Sequence, residues 1–176
     1  MTNQQTEPGP SGISDEQRAA MRAAARRIDQ INSWLLVGGF VPADEYQRLR
    51  EVGVTHVLDL RQEEELGEEN SPPPVQRLQE LGISRSQVPV PNGHAPTLDQ
   101  LAHASAWLDA QGAEATLYVH CGGGFGRACT LAVGVLVDRG ASVDDAMRQV
   151  REVRPEMRIN DEQLGWLRSV EQRRAQ

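Results

Sequence analysis

Lysine is absent from the sequence, so each of the 18 basic residues is an arginine, and 25 acidic residues outnumber them. The formal net charge is therefore −7. This excess of negative charge opposes electrostatic binding to the phosphates of nucleic acid or to an anionic lipid surface. Neither nucleic acid nor a membrane is expected as a partner.

Cysteine and histidine are also scarce. Two cysteines, Cys121 and Cys129, cannot build a disulfide framework, and a reducing cytosol would keep both as thiols. The four histidines lack the spacing of metal ligands; they are His56, His94, His103 and His120. A metal site is not expected.

Long hydrophobic runs are missing as well, since no apolar stretch approaches the roughly 20 residues that span a membrane. The first residues, MTNQQTEPGPSGIS, contain neither the basic nor the apolar segment of a signal peptide. The mean hydropathy of −0.51 is that of a soluble globular protein. We expect a cytoplasmic location.

The order of segments indicates one domain of 176 residues. Residues 1–13 are polar with Gly and Pro, which predicts a disordered tail, and residues 14–176 are predicted to form the domain. Predicted strands lie at 33–39, 54–60, 86–90 and 115–119; predicted helices lie at 14–30, 44–52, 75–81, from 97, from 127, 142–152 and from 160. This alternation predicts a three-layer α/β fold, in which helices flank a mostly parallel central sheet of about four to five strands.

Several of the helices have a predicted start because a capping side chain precedes them. Capping-box pairs are Ser14 with Gln17, Thr97 with Gln100 and Asn160 with Gln163, and Ser142 is a further N-cap.

The stretch RQEEELGEENSPPP at 61–74 is acidic and ends in three prolines. It is expected to be a surface loop. Its carboxylates are interpreted as solvated charges rather than as an acid–base pair.

The most informative segment is HCGGGFGR at 120–127, between a predicted strand and a predicted helix. Cys and Arg at this spacing are weak evidence alone, because arginine is common in the chain. The glycines make the pattern specific, since glycine allows a sharp turn in which backbone N–H groups converge. The alternative is a glycine-rich turn with a buried, inert cysteine.

Such a loop suits a phosphate dianion. The positive end of the following helix favours an anion, and Arg127 can bind two phosphate oxygens with its planar guanidinium. The same groups favour the thiolate of Cys121, which would then act as a nucleophile. His120 is expected to hold the loop through hydrogen bonds.

These residues resemble the cysteine-dependent phosphatase superfamily, whose signature is His-Cys, five residues, Arg. The greatest similarity is to small atypical dual-specificity phosphatases, which are tyrosine phosphatase-like and consist of the catalytic domain alone. The resemblance covers most of residues 30–172, with VTHVLDL, VPVPNGHAPTLDQL, YVHCGGGFGRACTLAVGVLV and REVRPEMRINDEQLGWL as matching segments.

The resemblance implies a phosphocysteine mechanism without a metal or organic cofactor. Cys121 would attack phosphorus, and water would then release phosphate. The phosphate would be held by the loop, that is by Gly122, Gly123, Gly124, Phe125, Gly126 and Arg127.

The chain departs from the family at Asn92, where similar proteins have the Asp that protonates the leaving oxygen. An amide cannot donate a proton as an acid, and general acid catalysis contributes roughly 10²–10⁴-fold. Either the register is shifted or another residue substitutes. His94 is the best-placed substitute; the other candidates are Asp99, Asp161 and Glu162.

The second departure is Ala128, where the family usually has the Ser or Thr hydroxyl that stabilises the departing thiolate. Without it, the phosphocysteine intermediate should persist, and Thr130 is expected on another side of the helix. Cys129 is interpreted as a small buried residue, with a thiol that protects oxidised Cys121 as the alternative.

These features predict a slow phosphatase that acts on phosphotyrosine or another aryl phosphate, in a phosphorylated protein or a small molecule. The loop has no extra basic residue for a highly charged inositol head group. The alternative is a catalytically impaired pseudophosphatase that binds phosphorylated partners. A sulfurtransferase or an arsenate reductase ranks lower, because of loop length and loop position respectively. A monomer is expected.

Overall fold

A computed structural model describes residues 13–66 and 75–176. Five strands form one sheet, in the spatial order β1-β2-β5-β3-β4. The strands are β1 Ile28–Gln30, β2 Leu35–Gly38, β3 His56–Asp59, β4 Ser84–Gln87 and β5 Leu117–His120. The helices are α1 Asp15–Ala25, α2 Tyr46–Glu51, α3 Val75–Glu80, α4 Leu98–Gln111, α5 Arg127–Asp138, α6 Val143–Val153 and α7 Asp161–Arg174.

The sheet is mostly parallel, which confirms the predicted α/β class. β5 lies at its centre and pairs in parallel with β2 and β3, so that Val119 is opposite both Val37 and Leu58. β4 pairs in parallel with β3, and only the edge strand β1 is antiparallel. Because three central strands run the same way, their carboxyl ends meet at one edge of the sheet, where α/β proteins bind ligands.

Both faces of the sheet are covered, as a parallel sheet requires. Side chains alternate between the faces, so Val37 and Val119 belong to a large apolar cluster with α4 to α7, and Leu36 and Tyr118 belong to a smaller one with α2 and α3. Burying each large apolar side chain stabilises the fold by about 1.5–3 kcal/mol. The result is the expected three-layer architecture.

Helix α5 lies in the middle of the large cluster, and every residue from 127 to 137 is buried. The predicted capping side chains are present at the starts of α1, α4, α6 and α7, and three of them form complete capping boxes. Within the described ranges, no helix is both long and apolar enough to span a membrane.

Three predictions about elements were wrong in detail. The helix predicted for 14–30 ends at Ala25, because Ile28–Gln30 pairs with β2 instead of continuing the helix. The strand predicted for 86–90 lies at Ser84–Gln87, since an edge strand does not need the apolar pattern of a covered one. The stretch from 61 contains a short 3-10 helix at Glu63–Leu66. Most of the tail predicted at 1–13, and the three prolines, lie outside the described residues.

Candidate active site

A cleft of about 340 Å³ opens at the carboxyl edge of the sheet. Its floor is the loop between β5 and α5, and its walls come from the chain near residue 92 and from the segment that precedes α7. The lining residues are Asn92, Gly93, Cys121, Gly123, Phe125, Gly126, Arg127, Arg158, Ile159, Asn160 and Gln163. The structure therefore brings Asn92 to the same cleft as Cys121 and Arg127.

The loop turns sharply at Gly124, whose φ of +73° is left-handed. A Cβ on this residue would lie 2.1 Å from the carbonyl carbon of Gly38, so only glycine fits this position. The segment after β2 supports the loop, because the Phe40 N–H donates a 2.9 Å hydrogen bond to the Gly122 carbonyl. The turn directs the Gly124 N–H to the Cys121 Sγ, at 3.3 Å.

The backbone at Cys121 is held from beneath by His120. The His120 Nδ1 lies 3.2 Å from the Cys121 carbonyl oxygen, and its ring stacks on that of Tyr118. Burial lowers the pKa of His120, although the nearby Asp59 opposes this effect. A neutral imidazole can donate from Nδ1 to the carbonyl, which fixes the backbone from which the Cys121 thiol projects.

Asp59 is the centre of a buried charge network below the loop. Its carboxylate accepts hydrogen bonds from Arg61 at 3.0 and 2.8 Å and from Arg85 at 2.8 Å, and the His120 Nε2 lies 3.7 Å away. Burial by itself would raise the pKa of Asp59, but His120 and the two arginines hold it well below its ordinary range. This network of ion pairs holds the His120 side chain in place.

Arg154 fixes the back of the loop. Its guanidinium is fully buried and donates to the carbonyl oxygens of Gly123 and Gly124, at 2.9 and 2.6 Å. A third hydrogen bond of 2.7 Å to Asp29 compensates its charge. Because Arg154 binds these carbonyls, the loop can turn its N–H groups towards the cleft.

Arg127 begins α5 and is 4 % exposed. Both of its terminal nitrogens donate to the Glu65 carboxylate at 2.6 Å, and Nη1 also donates to the Val90 carbonyl at 2.8 Å. These bonds raise the pKa of Arg127 and lower that of Glu65. The Arg127 Nε is buried without a partner within the described chain. The terminal nitrogens of the guanidinium are thus used by Glu65, and the Cys121 side chain also contributes to the raised pKa of Arg127.

The position of Asn92 is set by a tight turn. The His94 N–H donates to the Pro91 carbonyl at 3.1 Å, and Gly93 has the left-handed φ of +82° that such a turn needs. The start of α7 holds this turn, because the Asn160 side chain donates to the Gly93 carbonyl at 2.7 Å and Gln163 donates to the His94 carbonyl at 3.1 Å.

No alternative acid reaches the cleft from the described residues. The imidazole of His94 lies 3.1 Å from the Glu162 carboxylate, and both side chains are more than half exposed. Asp99 and Asp161 are exposed and do not line the cleft. The lining contains no carboxyl or imidazole group, so the candidates His94, Asp99, Asp161 and Glu162 all lie outside it.

Ala128, Cys129 and Thr130 on α5 are fully buried. The Thr130 hydroxyl donates to the Gly126 carbonyl at 2.9 Å, so it is not directed at the cysteine. The Cys129 thiol donates to the Gly124 carbonyl, with an S···O distance of 3.3 Å, and burial raises the pKa of Cys129 to about 12. This environment favours the packing role of Cys129 over the thiolate that a resolving cysteine needs.

Several residues that support the cleft were not predicted from the sequence. The acidic stretch was interpreted as solvated charge, and this is wrong for Glu65, which binds Arg127. No local pattern marks Asp59, Arg61, Arg85 or Arg154, since single charged residues are common in the chain. Gln163 was recognised as a helix cap, but its position in the cleft wall was not.

A family model described as "Swiss Army Knife protein, DSP-PTPase phosphatase domain" (PTP-SAK) matches residues 26–175. No curated protein sequence matches the chain.

Solved structures share the fold. PTPMT1 has a TM-score of 0.75 at 21% identity, covering 85% of this chain and 96% of that one. Tk-PTP in its active form has a TM-score of 0.72 at 25% identity, covering 84% and 98%. The human tyrosine phosphatase-like serine/threonine/tyrosine-interacting protein has a TM-score of 0.73 at 18% identity, covering 86% and 99%.

Proposed function

The chain belongs to the PTP-SAK family of DSP-PTPase phosphatase domains, and we propose that it hydrolyses phosphate monoesters through a phosphocysteine intermediate. One observation carries the proposal: Cys121, whose Sγ accepts the Gly124 N–H, and Arg127, whose pKa the Cys121 side chain helps to raise, line one cleft. A thiolate and a nearby guanidinium are what a phosphate monoester needs for attack and for charge compensation.

In the first step, the Cys121 thiolate attacks phosphorus, an S–P bond forms, and the bond to the leaving oxygen breaks. The N–H groups of the loop from Gly122 to Arg127 and the Arg127 guanidinium hold the other phosphate oxygens. Asn92 can donate a hydrogen bond to the leaving oxygen but cannot protonate it as an acid. Aryl phosphates, including phosphotyrosine, are therefore the preferred substrates, because a phenolate leaves without a proton more easily than an alkoxide.

In the second step, water attacks phosphorus, the S–P bond breaks, and the Cys121 thiolate leaves. Ala128 offers no hydroxyl to the leaving sulfur, and the Thr130 hydroxyl is used by Gly126. Breakdown of the intermediate is therefore slow. The proposal includes a phosphorylated protein or a small aryl phosphate as substrate, and a cytoplasmic monomer that needs neither cofactor nor a nucleic acid or membrane partner.

Hydrolysis of para-nitrophenyl phosphate tests the proposal. We expect a burst of para-nitrophenolate that matches the enzyme concentration, followed by slow turnover, and we expect Cys121→Ser to remove both. The matched control is Cys129→Ser, which changes the other thiol of the chain. Activity that survives in Cys121→Ser, or that Cys129→Ser removes while Cys121→Ser does not, would contradict the mechanism.

A second candidate is a pseudophosphatase that binds phosphorylated partners without turnover. The cleft lining favours it, since none of the described residues that line the cleft has a carboxyl or imidazole group. Vanadate or phosphotyrosine binding by the wild-type protein, with neither a burst nor steady hydrolysis, would support this candidate over the enzyme.

A further inference from the structure

A second concavity adjoins the cleft. It is a groove of about 650 Å³ between α1 and the segment that follows α6. Arg158 lines both the groove and the cleft, so the two adjoin at this side chain. The groove is therefore near enough to contact residues that flank a group bound at Cys121.

The groove carries net positive charge in a chain whose net charge is negative. Arg18, Arg22 and Arg158 line it, and Glu156 is the one acidic lining residue in the described chain. Arg18 is paired with Asp15, at 3.7 Å, so the excess positive charge comes from Arg22 and Arg158. Glu156 is compensated by Arg27, which donates to its two oxygens at 2.9 and 2.7 Å. These bonds lower the pKa of Glu156 to about 2, so its charge is present and paired at neutral pH.

Two of the groove arginines can form ion pairs with a bound ligand. Among the described residues, neither Arg22 nor Arg158 forms an ion pair, and the Arg158 guanidinium donates a hydrogen bond to the Met21 sulfur, at 3.6 Å. The uncharged lining residues are Ile13, Ala20 and Met21, which are apolar, and Gln17. Methionine adapts to partners of varied shape, so this surface suits an irregular chain segment.

The walls of the groove are fixed to the catalytic loop. Arg27, just after α1, bridges Glu156 and Asp29, and Asp29 also binds Arg154. Arg154 in turn holds the carbonyls of Gly123 and Gly124. The position of the groove relative to the Cys121 loop is therefore set by buried and partly buried ion pairs.

We propose that this groove binds acidic residues of a protein segment that flank the phosphorylated residue in the cleft. The inference deepens the proposed function and rests on it, because the phosphate must occupy the Cys121 loop. Arginines beside apolar side chains complement a chain that presents carboxylates and apolar groups in turn. A peptide is favoured over an anionic membrane, because the overall charge of −7 repels an extended anionic surface but does not prevent local pairing.

The test uses two phosphotyrosine peptides that differ only in having Glu or Gln on both sides of the phosphotyrosine. We expect the wild-type protein to prefer the acidic peptide by about fivefold in kcat/KM, and high salt should abolish the preference. Arg22→Gln and Arg158→Gln should each reduce this ratio to about twofold. The matched control is Arg151→Gln, an exposed arginine of α6 outside the groove, which should keep the wild-type ratio.

Equal kcat/KM for the two peptides, or an equal loss of preference in Arg151→Gln, would overturn the inference. So would faster hydrolysis of a phosphorylated lipid in anionic vesicles, reduced by Arg22→Gln. Binding of both peptides to Cys121→Ser, measured by fluorescence anisotropy, separates this inference from the proposed function. If the acidic peptide binds more tightly but the wild-type protein does not hydrolyse para-nitrophenyl phosphate, the proposed phosphatase activity is wrong and the groove inference stands. If the wild-type protein hydrolyses para-nitrophenyl phosphate but neither peptide is preferred, the groove inference is wrong and the phosphatase activity stands.

Discussion

Glu65 and Arg127 form a two-pronged ion pair, in which both terminal nitrogens of the arginine lie 2.6 Å from the carboxylate oxygens. The pair joins the short helix at Glu63–Leu66 to the first residue of α5. Because it uses only the two terminal nitrogens, it fixes the guanidinium without using Nε, which donates no hydrogen bond within the described residues. A glutamate of the acidic stretch thus supports the proposed phosphate site.

Replacing Glu65 with Gln should weaken the orientation of Arg127. We expect kcat/KM for para-nitrophenyl phosphate to fall by about 10- to 100-fold, since hydrogen bonds to charged groups contribute roughly 1.5–3 kcal/mol. The affinity for vanadate should fall in parallel. Glu64→Gln, an exposed neighbour on the same short helix, is the control and should retain both values. Equal behaviour of the two variants would show that Glu65 does not position Arg127.

Introducing a carboxyl group at position 92 should supply a general acid that protonates the leaving oxygen. Asn92→Asp should raise kcat by about 10²-fold or more for alkyl phosphates and much less for acidic phenols, because general acid catalysis matters most for poor leaving groups. The measurement is a pH–rate profile with both substrate types. Asn92→Ala serves as the control without an acid. A gain of equal size on every leaving group would argue against proton transfer.

Introducing a hydroxyl at position 128 should speed release of the phosphate. In Ala128→Ser, steady turnover of para-nitrophenyl phosphate should rise and the burst should shrink, as stabilisation of the departing sulfur shortens the life of the intermediate. Stopped-flow kinetics measures both. Ala128 is fully buried, so the melting temperature must be checked in parallel. An unchanged burst in a folded variant would contradict the proposal that the lack of a hydroxyl at position 128 slows breakdown of the intermediate.

Gly124 should tolerate no side chain. Gly124→Ala combines a left-handed φ of +73° with a Cβ placed 2.1 Å from Gly38, and should destabilise the fold by about 2–5 kcal/mol and abolish vanadate binding. Gly112 is the control, because its φ is +83° but no atom lies within 4 Å of the place that a Cβ would occupy. Gly112→Ala should cost about 1 kcal/mol and leave vanadate binding intact. Similar losses in both would exclude a special role of the contact with Gly38.

The buried Asp59 should make the free energy of unfolding decrease at low pH. Its pKa is depressed in the folded protein, whereas the pKa of an unfolded Asp is about 3.9. The stabilisation is therefore fully present above about pH 4 to 5 and is lost as the pH falls through the folded value. The free energy of unfolding, measured by urea denaturation at several pH values, should show this loss in the wild-type protein.

Asp59→Asn should lower the free energy of unfolding by about 3–5 kcal/mol at neutral pH, since it leaves Arg61 and Arg85 without a counter-charge. The difference from wild type should shrink as the pH falls below about 4. Asp109→Asn removes the exposed pair with Arg139 and should cost about 1 kcal/mol or less. A difference between Asp59→Asn and wild type that stays constant with pH would contradict the depressed pKa.

The starts of α1, α4, α6 and α7 and the sharp turn of the glycine-rich Cys121 loop could be predicted from the sequence. A capping box and the Cys121 loop each consist of residues that are close together in the sequence, and their hydrogen bonds are local. The strand order could not be read in this way, because β5 enters between β2 and β3 through contacts distant in sequence. The polar edge strand β4 also lacks the apolar pattern by which a strand is recognised.

The order of residues was enough to establish the α/β class and to place Cys121, the glycines and Arg127 in one loop between a strand and a helix. The choice of charged residues that support this loop depends instead on how the chain packs. Glu65 meets Arg127 across 62 positions, and Arg154 meets Asp29 across 125. No local pattern marks such pairs, because any arginine can bind any carboxylate that the fold places within reach.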